Sequence, residues 1–189
     1  MKVIPFFSSE KQLIKKASQN NREAQRRLYE LHAPKMLSVC RQYIKDLHHA
    51  EEAMANGFIK VFGNLKNFRD EGSFEGWIRK IMVREALSFL RAQTKMTFTD
   101  YEDETHAPAY DPVDSELETE HIQHLIDGLP AGYRAVFVMY AVEGYKHQEI
   151  AAVLKISEST SKSQLFKARK MLQQQLKESN TYRYGTNKI

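Results

Sequence analysis

Between Ser159 and Lys170 the chain sets hydroxyls and cations at helical intervals. Ser159, Lys162, Ser163, Lys167 and Lys170 share one side of the stretch, with Phe166 among them. Lysines and hydroxyls reach phosphates and the acceptor edges of bases, and an apolar ring can meet a thymine methyl. The chemistry of such a face is the reading of duplex DNA in the major groove. A second arc of this kind lies in "GSFEGWIRKIMVREALSFLR". There Trp77, Lys80, Arg84, Ser88 and Arg91 fall on one side, and Ile78, Met82, Ala86 and Phe89 on the other as core. Cations beside an aromatic ring suit a single DNA strand, because charge tracks phosphates while rings stack on exposed bases. The preceding loop, "NFRDEGSF", brings Phe68, Arg69 and Phe74 around Gly72. It suits a base taken out of the stack, which costs a few kcal/mol.

These side chains need rigid elements beneath them. In "EIAAVLKISESTSKSQLFKARKML", Ile150, Val153 and Leu154 form the inward stripe of a first helix, and "KIS" breaks the pattern. Ser157 can cap the next helix through its hydroxyl, and Glu158 in the first turn suits the helix dipole. Ser161, Leu165, Ala168 and Leu172 then face inward. This is a helix-turn-helix pattern, although a solvated basic hairpin with no ligand has the same periodicity. Upstream, Ala24, Leu28, Leu31, Met36, Val39, Cys40 and Tyr43 mark a helix with an irregularity expected at Pro34. Asp46 and Ser73 are candidate caps of the two helices that follow. Further helices are expected over 115–128, 131–142, 146–154 and 157–178. Trp77 is as suited to the core as to stacking, and Arg79, on the apolar side, should snorkel to the edge.

The chain of 189 residues is 42% hydrophobic and 28% charged, with a net charge of +4. Charge is uneven along it. Five basic residues and one acid lie between Arg79 and Lys95, and seven basics and two acids between Lys155 and Arg183. Between Met96 and Glu120 there are nine acids and no Lys or Arg. That acidic stretch contains Pro108 and Pro112, lacks periodicity and reads as a flexible linker. The expected fold class is all-α: two small helical domains, 10–95 and 115–178, on an acidic linker over 96–114. A single cysteine, Cys40, excludes an internal disulfide framework and fits a reducing cytoplasm. No apolar run has the length of a membrane span, so membrane insertion is not expected. Adjacent His48 and His49 point apart on a helix, and with Cys40 they match no tetrahedral metal set. No phosphate loop, nucleophile elbow or paired catalytic carboxylates appear, so neither an enzyme nor a cofactor is expected.

The segment "LPAGYRAVFVMYAVEGYKHQEIAAVLKISESTSKSQLFKARKML" closely resembles the promoter-reading domain of bacterial sigma factors of the extracytoplasmic-function (ECF) type. The pattern is carried by Leu129, Pro130, Arg134, Glu143, Gly144, Glu149, Ile150 and Ala151. It continues through Ser157, Thr160, Lys162, Ser163, Leu165, Ala168 and Arg169. "AEEAMANGFIKVF" is similar to the helix by which sigma factors bind the clamp of RNA polymerase, and "GSFEGWIRKIMVREALSFLR" to the helix that opens and reads the minus-ten element. The acidic linker stands in place of the extra domain of larger sigma factors.

The resemblance implies core RNA polymerase and promoter DNA as partners, the DNA both as duplex and as melted strand, with an anti-sigma protein as a further partner. It implies polymerase contacts at Glu51, Glu52, Met54, Ala55, Asn56 and Phe58. Minus-ten contacts fall to Phe68, Arg69, Phe74, Trp77, Lys80, Arg84, Ser88 and Arg91. Minus-thirty-five contacts fall to Ser159, Thr160, Lys162, Ser163, Gln164, Lys167, Arg169 and Lys170. Lys162 and Gln164 lie nearer the end that meets bases, whereas Lys167 and Lys170 are placed for phosphates. The chain departs from the family pattern at Ala55 and Asn56, where Gln-Glu is common. It also departs at Arg84 and Ser88, and at Ser161, where valine is usual. The alternative function is a stand-alone helix-turn-helix regulator that needs no polymerase.

Overall fold

The computed structural model describes residues 10–94 and 117–184, with side chains over 10–92 and 120–178. The whole of the expected linker, 96–114, therefore lies outside the described residues. Among those residues the regular structure is helical throughout. The chain divides into two compact units between Phe89 and Leu90.

The first unit begins with α1 (Glu10–Ser18), a helix beyond those expected from the sequence, followed by α2 (Arg22–Tyr43). Asn21 caps α2, its side-chain oxygen accepting the Ala24 N–H at 2.9 Å. The helix α2 runs through Pro34 without a break. A mid-helix proline costs about 3 kcal/mol. Each fully buried Leu, Met or Val returns about 1.5–3 kcal/mol, and Leu28, Met36 and Val39 are buried on both sides of the proline. Leu31, expected in the core, is 60% exposed, and His32 turns inward instead. His32 is satisfied there by the Glu10 carboxylate at 2.8 Å, so α1 supplies the partner that lets a histidine replace a leucine in the stripe.

Asp46 caps α3 (Leu47–Asn64) by accepting the His49 N–H at 2.9 Å. A 3-10 turn (Leu65–Asn67) and a loop lead to α4 (Phe74–Thr94), where the Ser73 hydroxyl accepts the Gly76 N–H at 3.0 Å. The close approach of α3 and α4 depends on Gly57. A Cβ there would lie 2.3 Å from Met82 Sδ, and Met82 has no exposed surface into which to retreat. Ile78, Met82 and Ala86 are fully buried, as their spacing predicts, while Phe89 is half-buried.

In the second unit, α5 (Leu117–Asp127) leads to α6 (Ala131–Phe137), which widens into a π-helical turn (Val138–Val142). The Glu143 N–H donates to the Val138 carbonyl at 3.0 Å, five residues back. Gly144, at φ +75°, takes the left-handed conformation that ends this helix. Then come α7 (His147–Leu154) and α8 (Glu158–Tyr184). Ile150, Leu154, Leu165 and Ala168 join Leu129, Ala135, Val136, Val138 and Met139 in one core. That core fixes α8 against α6 and α7.

Candidate nucleic-acid interface

The turn between α7 and α8 is built from three residues. Glu149 accepts the Lys146 N–H at 2.8 Å and closes the start of α7. Lys155 then takes a left-handed conformation, φ 58° and ψ 44°, at its end. The Ile156 N–H donates to the Ala151 carbonyl at 3.1 Å. Ser157 Oγ accepts the Thr160 N–H at 2.9 Å and lies 2.7 Å from both Ser159 Oγ and Thr160 Oγ1. The cap and the hydroxyls of the first turn of α8 thus form one hydrogen-bonded group.

Beyond that turn, Lys162, Ser163, Phe166, Lys167, Arg169 and Lys170 are exposed along α8, Phe166 at 70%. Ser159 is exposed and Thr160 half-buried. Lys162 Nζ pairs with Glu158 at 2.7 Å, and this cation beside Glu158 holds its carboxyl below the usual glutamate range. Lys167 Nζ sits 5.8 Å from the Tyr133 ring centre, and the Arg169 guanidinium 5.5 Å from that of Tyr140. Gln164 contradicts its expected placement: it is 2% exposed and faces Gly132. It lies on the same buried side as Ser161, Leu165 and Ala168, so its amide is spent in the domain interior.

In the first unit the loop and α4 bring three rings together. Phe68 lies 5.3 Å from Phe74 and 5.5 Å from Trp77, and Phe74 and Trp77 stack at 5.8 Å. Phe74, expected in a DNA pocket, is only 4% exposed and packs edge-on to His32 at 5.4 Å. It supports the other two rings rather than reaching out. Phe68 and Trp77 are half-buried, and Arg69, Lys80, Arg84 and Ser88 are exposed. Arg91 is half-buried, beyond the division between the units. At the other end of this face Lys35 bonds Glu75 at 2.6 Å and lowers its carboxyl pKa.

On α3, Glu51, Glu52, Ala55 and Asn56 are exposed. Met54 and Phe58, expected to face a partner, are instead core residues at 6% and 3% exposure, with Phe58 edge-on to Tyr29 at 4.7 Å. Ile59, not singled out in the sequence, is 69% exposed one turn beyond Ala55. The outward stripe of α3 is therefore Glu52, Ala55, Asn56 and Ile59. Cys40 is fully buried, and burial pushes its thiol up to about 12. Among the described residues no three His, Cys, Asp or Glu side chains converge as a metal site, and no helix is long and apolar enough to cross a membrane.

A family model for sigma-70 region 2 matches residues 28–96, and one for sigma-70 region 4 matches residues 119–172. The chain is 30% identical over 152 residues to the ECF RNA polymerase sigma factor SigE of Mycolicibacterium smegmatis, covering 77% of this chain and 58% of that protein. It is 27% identical over 134 residues to the RNA polymerase sigma factor SigV of Bacillus subtilis, covering 71% and 80% respectively. Among solved structures it resembles the sigma factor RpoE of Bartonella quintana, in complex with the anti-sigma factor NepR, with a TM-score of 0.52. That likeness, at 18% identity, covers 80% of this chain and 96% of the other and speaks to the fold. The exposed cationic faces of α4 and α8 fall within the two matched regions, and the chain belongs to the sigma-70 family, as a member of its extracytoplasmic-function type.

Proposed function

We propose that this chain binds core RNA polymerase and directs it to promoters, with α8 on the minus-thirty-five element and the loop and α4 on the opened minus-ten strand. The observation that carries the reading is the pairing, in one chain, of two exposed cationic helix faces, each within the matching sigma region and each backed by a rigid core. In this reading Glu51 and the outward stripe of α3, Glu52, Ala55, Asn56 and Ile59, meet the polymerase. Complementary charge there steers association. Phe68 and Trp77 stack on bases of the melted strand, while Arg69, Lys80, Arg84, Ser88 and Arg91 hold its backbone. On α8, Lys162 reads a base, and Lys167 and Lys170 hold phosphates. The protein acts in the cytoplasm, performs no catalysis of its own, and takes an anti-sigma protein as its further partner.

Run-off transcription with core polymerase tests the proposal. Transcripts from defined start sites are expected only when this chain is added, with unpaired thymines at the minus-ten region reacting with permanganate. Specific promoter binding by the chain alone, with no effect on polymerase, would instead establish the stand-alone regulator. Within the complex, Lys162→Ala should cost about 1–3 kcal/mol and relax preference at one or two positions, whereas Lys170→Ala should weaken all promoters alike and lower the salt slope by about one.

A further inference from the structure

Three elements meet beside the base-facing stretch of α8. His147 Nδ1, at the start of α7, shares a hydrogen bond of 2.9 Å with Ser161 Oγ, and Ser161 has no exposed surface. The other side of this assembly is Tyr140, carried on the π-helical turn. The His147 ring stacks on it with centroids 4.7 Å apart and planes inclined by 25°. Tyr140 in turn carries the Arg169 guanidinium 5.5 Å from its ring centre. So α8 is gripped at Ser161 and at Arg169, about 12 Å apart along the axis. Between those two points lie Lys162, Ser163, Phe166 and Lys167.

We infer that Tyr140 and His147 form a clamp that sets the roll of α8 in the DNA groove and thereby helps choose which bases the helix reads. The inference rests on the proposed promoter-reading role of α8. Leu165 and Ala168 also anchor the helix, but apolar burial is non-directional and tolerates small rotations. A hydrogen bond prefers an angle above about 150° and weakens steeply below about 120°, so the His147–Ser161 bond adds a directional restraint to the packing that holds α8. The lever is large enough to matter. A roll of about 20° moves a side-chain tip about 6 Å from the axis by about 2 Å. That displacement exceeds the window of about 0.5 Å within which a hydrogen bond to a base edge forms. His147 and Tyr140 are thus positioning residues, acting through α8. Arg169, assigned to DNA on sequence grounds, becomes the second jaw of the clamp.

The test uses the holoenzyme assembled with core polymerase. Wild type, Ser161→Ala, His147→Phe and the double variant are each selected against promoter duplexes randomised at the minus-thirty-five element, and base preferences are read by sequencing. His147→Phe keeps a ring against Tyr140 and removes both ring nitrogens, Nδ1 with its bond to Ser161 among them. Ser161→Ala removes one oxygen from an intact core, so this arm stands even where the ring substitution folds poorly. Each single variant is expected to shift relative base preference about fivefold at the same positions, the worth of one hydrogen bond. The double variant should shift it no further than the larger single, because both remove the same bond. A purely structural role would lower the active fraction and leave the preference ratios unchanged, so profiles superimposable on wild type overturn the clamp. A wild-type holoenzyme with no minus-thirty-five preference at all overturns the promoter-reading role, and the clamp with it.

Discussion

Ser157 offers a way to separate the folding of α8 from its contact with DNA. Its hydroxyl accepts the Thr160 N–H at 2.9 Å and contacts Ser159 Oγ and Thr160 Oγ1, each at 2.7 Å. Ser157→Ala removes the cap, at a cost of about 1 kcal/mol within a range of 0.5–2. The two hydroxyl contacts add little to that figure, because Ser157 and Ser159 are exposed and water replaces the lost partner. The damage is local, opening the turn that presents Ser159, Thr160 and Lys162. Promoter affinity should then fall by up to about fivefold, since 1.4 kcal/mol is tenfold. Ser157→Asp restores an acceptor that caps as well as serine does. Its charge at the helix N-terminus adds about 0.3–1 kcal/mol, so stability returns to the wild-type level or above. Affinity should not return with it, because the new carboxylate stands beside the face that meets phosphates and cancels about one ionic contact in the salt dependence. Amide exchange along α8 reads the stability, and holoenzyme binding across a salt series reads the affinity. Wild-type promoter affinity in Ser157→Asp would refute the placement of this turn against DNA, and unaltered exchange in Ser157→Ala would refute the capping account.

Four further outcomes follow from the first unit. Gly57→Ala should destabilise it in urea unfolding: overpacking against buried Met82 costs about 1–3 kcal/mol, against a helix-propensity gain of about 1. Gly63→Ala on the same helix, where a Cβ meets nothing within 4 Å, should gain up to about 1 kcal/mol. Asp46 accepts the His49 N–H, which lowers its carboxyl below the usual 3.8. Its contribution is therefore fully present above 3.8 and is lost as pH falls through the lower folded value, and an Asp46→Asn variant should lack that acid-side loss in a pH series of unfolding curves. Cys40, pushed up to about 12 and buried, should resist alkylation in the folded protein and react at the rate of unfolding.

What the sequence made legible, and what it hid, divides along a physical line. Helix periodicity and caps are local. The inward spacing of Ile78, Met82 and Ala86, the caps at Asp46, Ser73 and Ser157, and the short break before α8 are all written within a few neighbouring residues. The misplacements come from partners far along the chain. Leu31 has the helical spacing of a core residue, and the inward turn of His32 depends on Glu10, a partner 22 residues away on α1. The resemblance of their segment to the clamp helix places Met54 and Phe58 at a partner, but α3 is covered by α2 on one side and α4 on another. Its buried arc widens accordingly, leaving a narrower outward stripe that includes Ile59. Gln164 is buried with its amide against Gly132, on another helix, a neighbour that the spacing of α8 does not reveal. The candidate DNA face shows the same division. The cations and Phe166 that would touch DNA are legible from spacing on α8 alone. Their aim is set by His147, Tyr140 and the π-helical turn, which no period announces, so variation in this support can alter specificity while every base-facing residue stays the same.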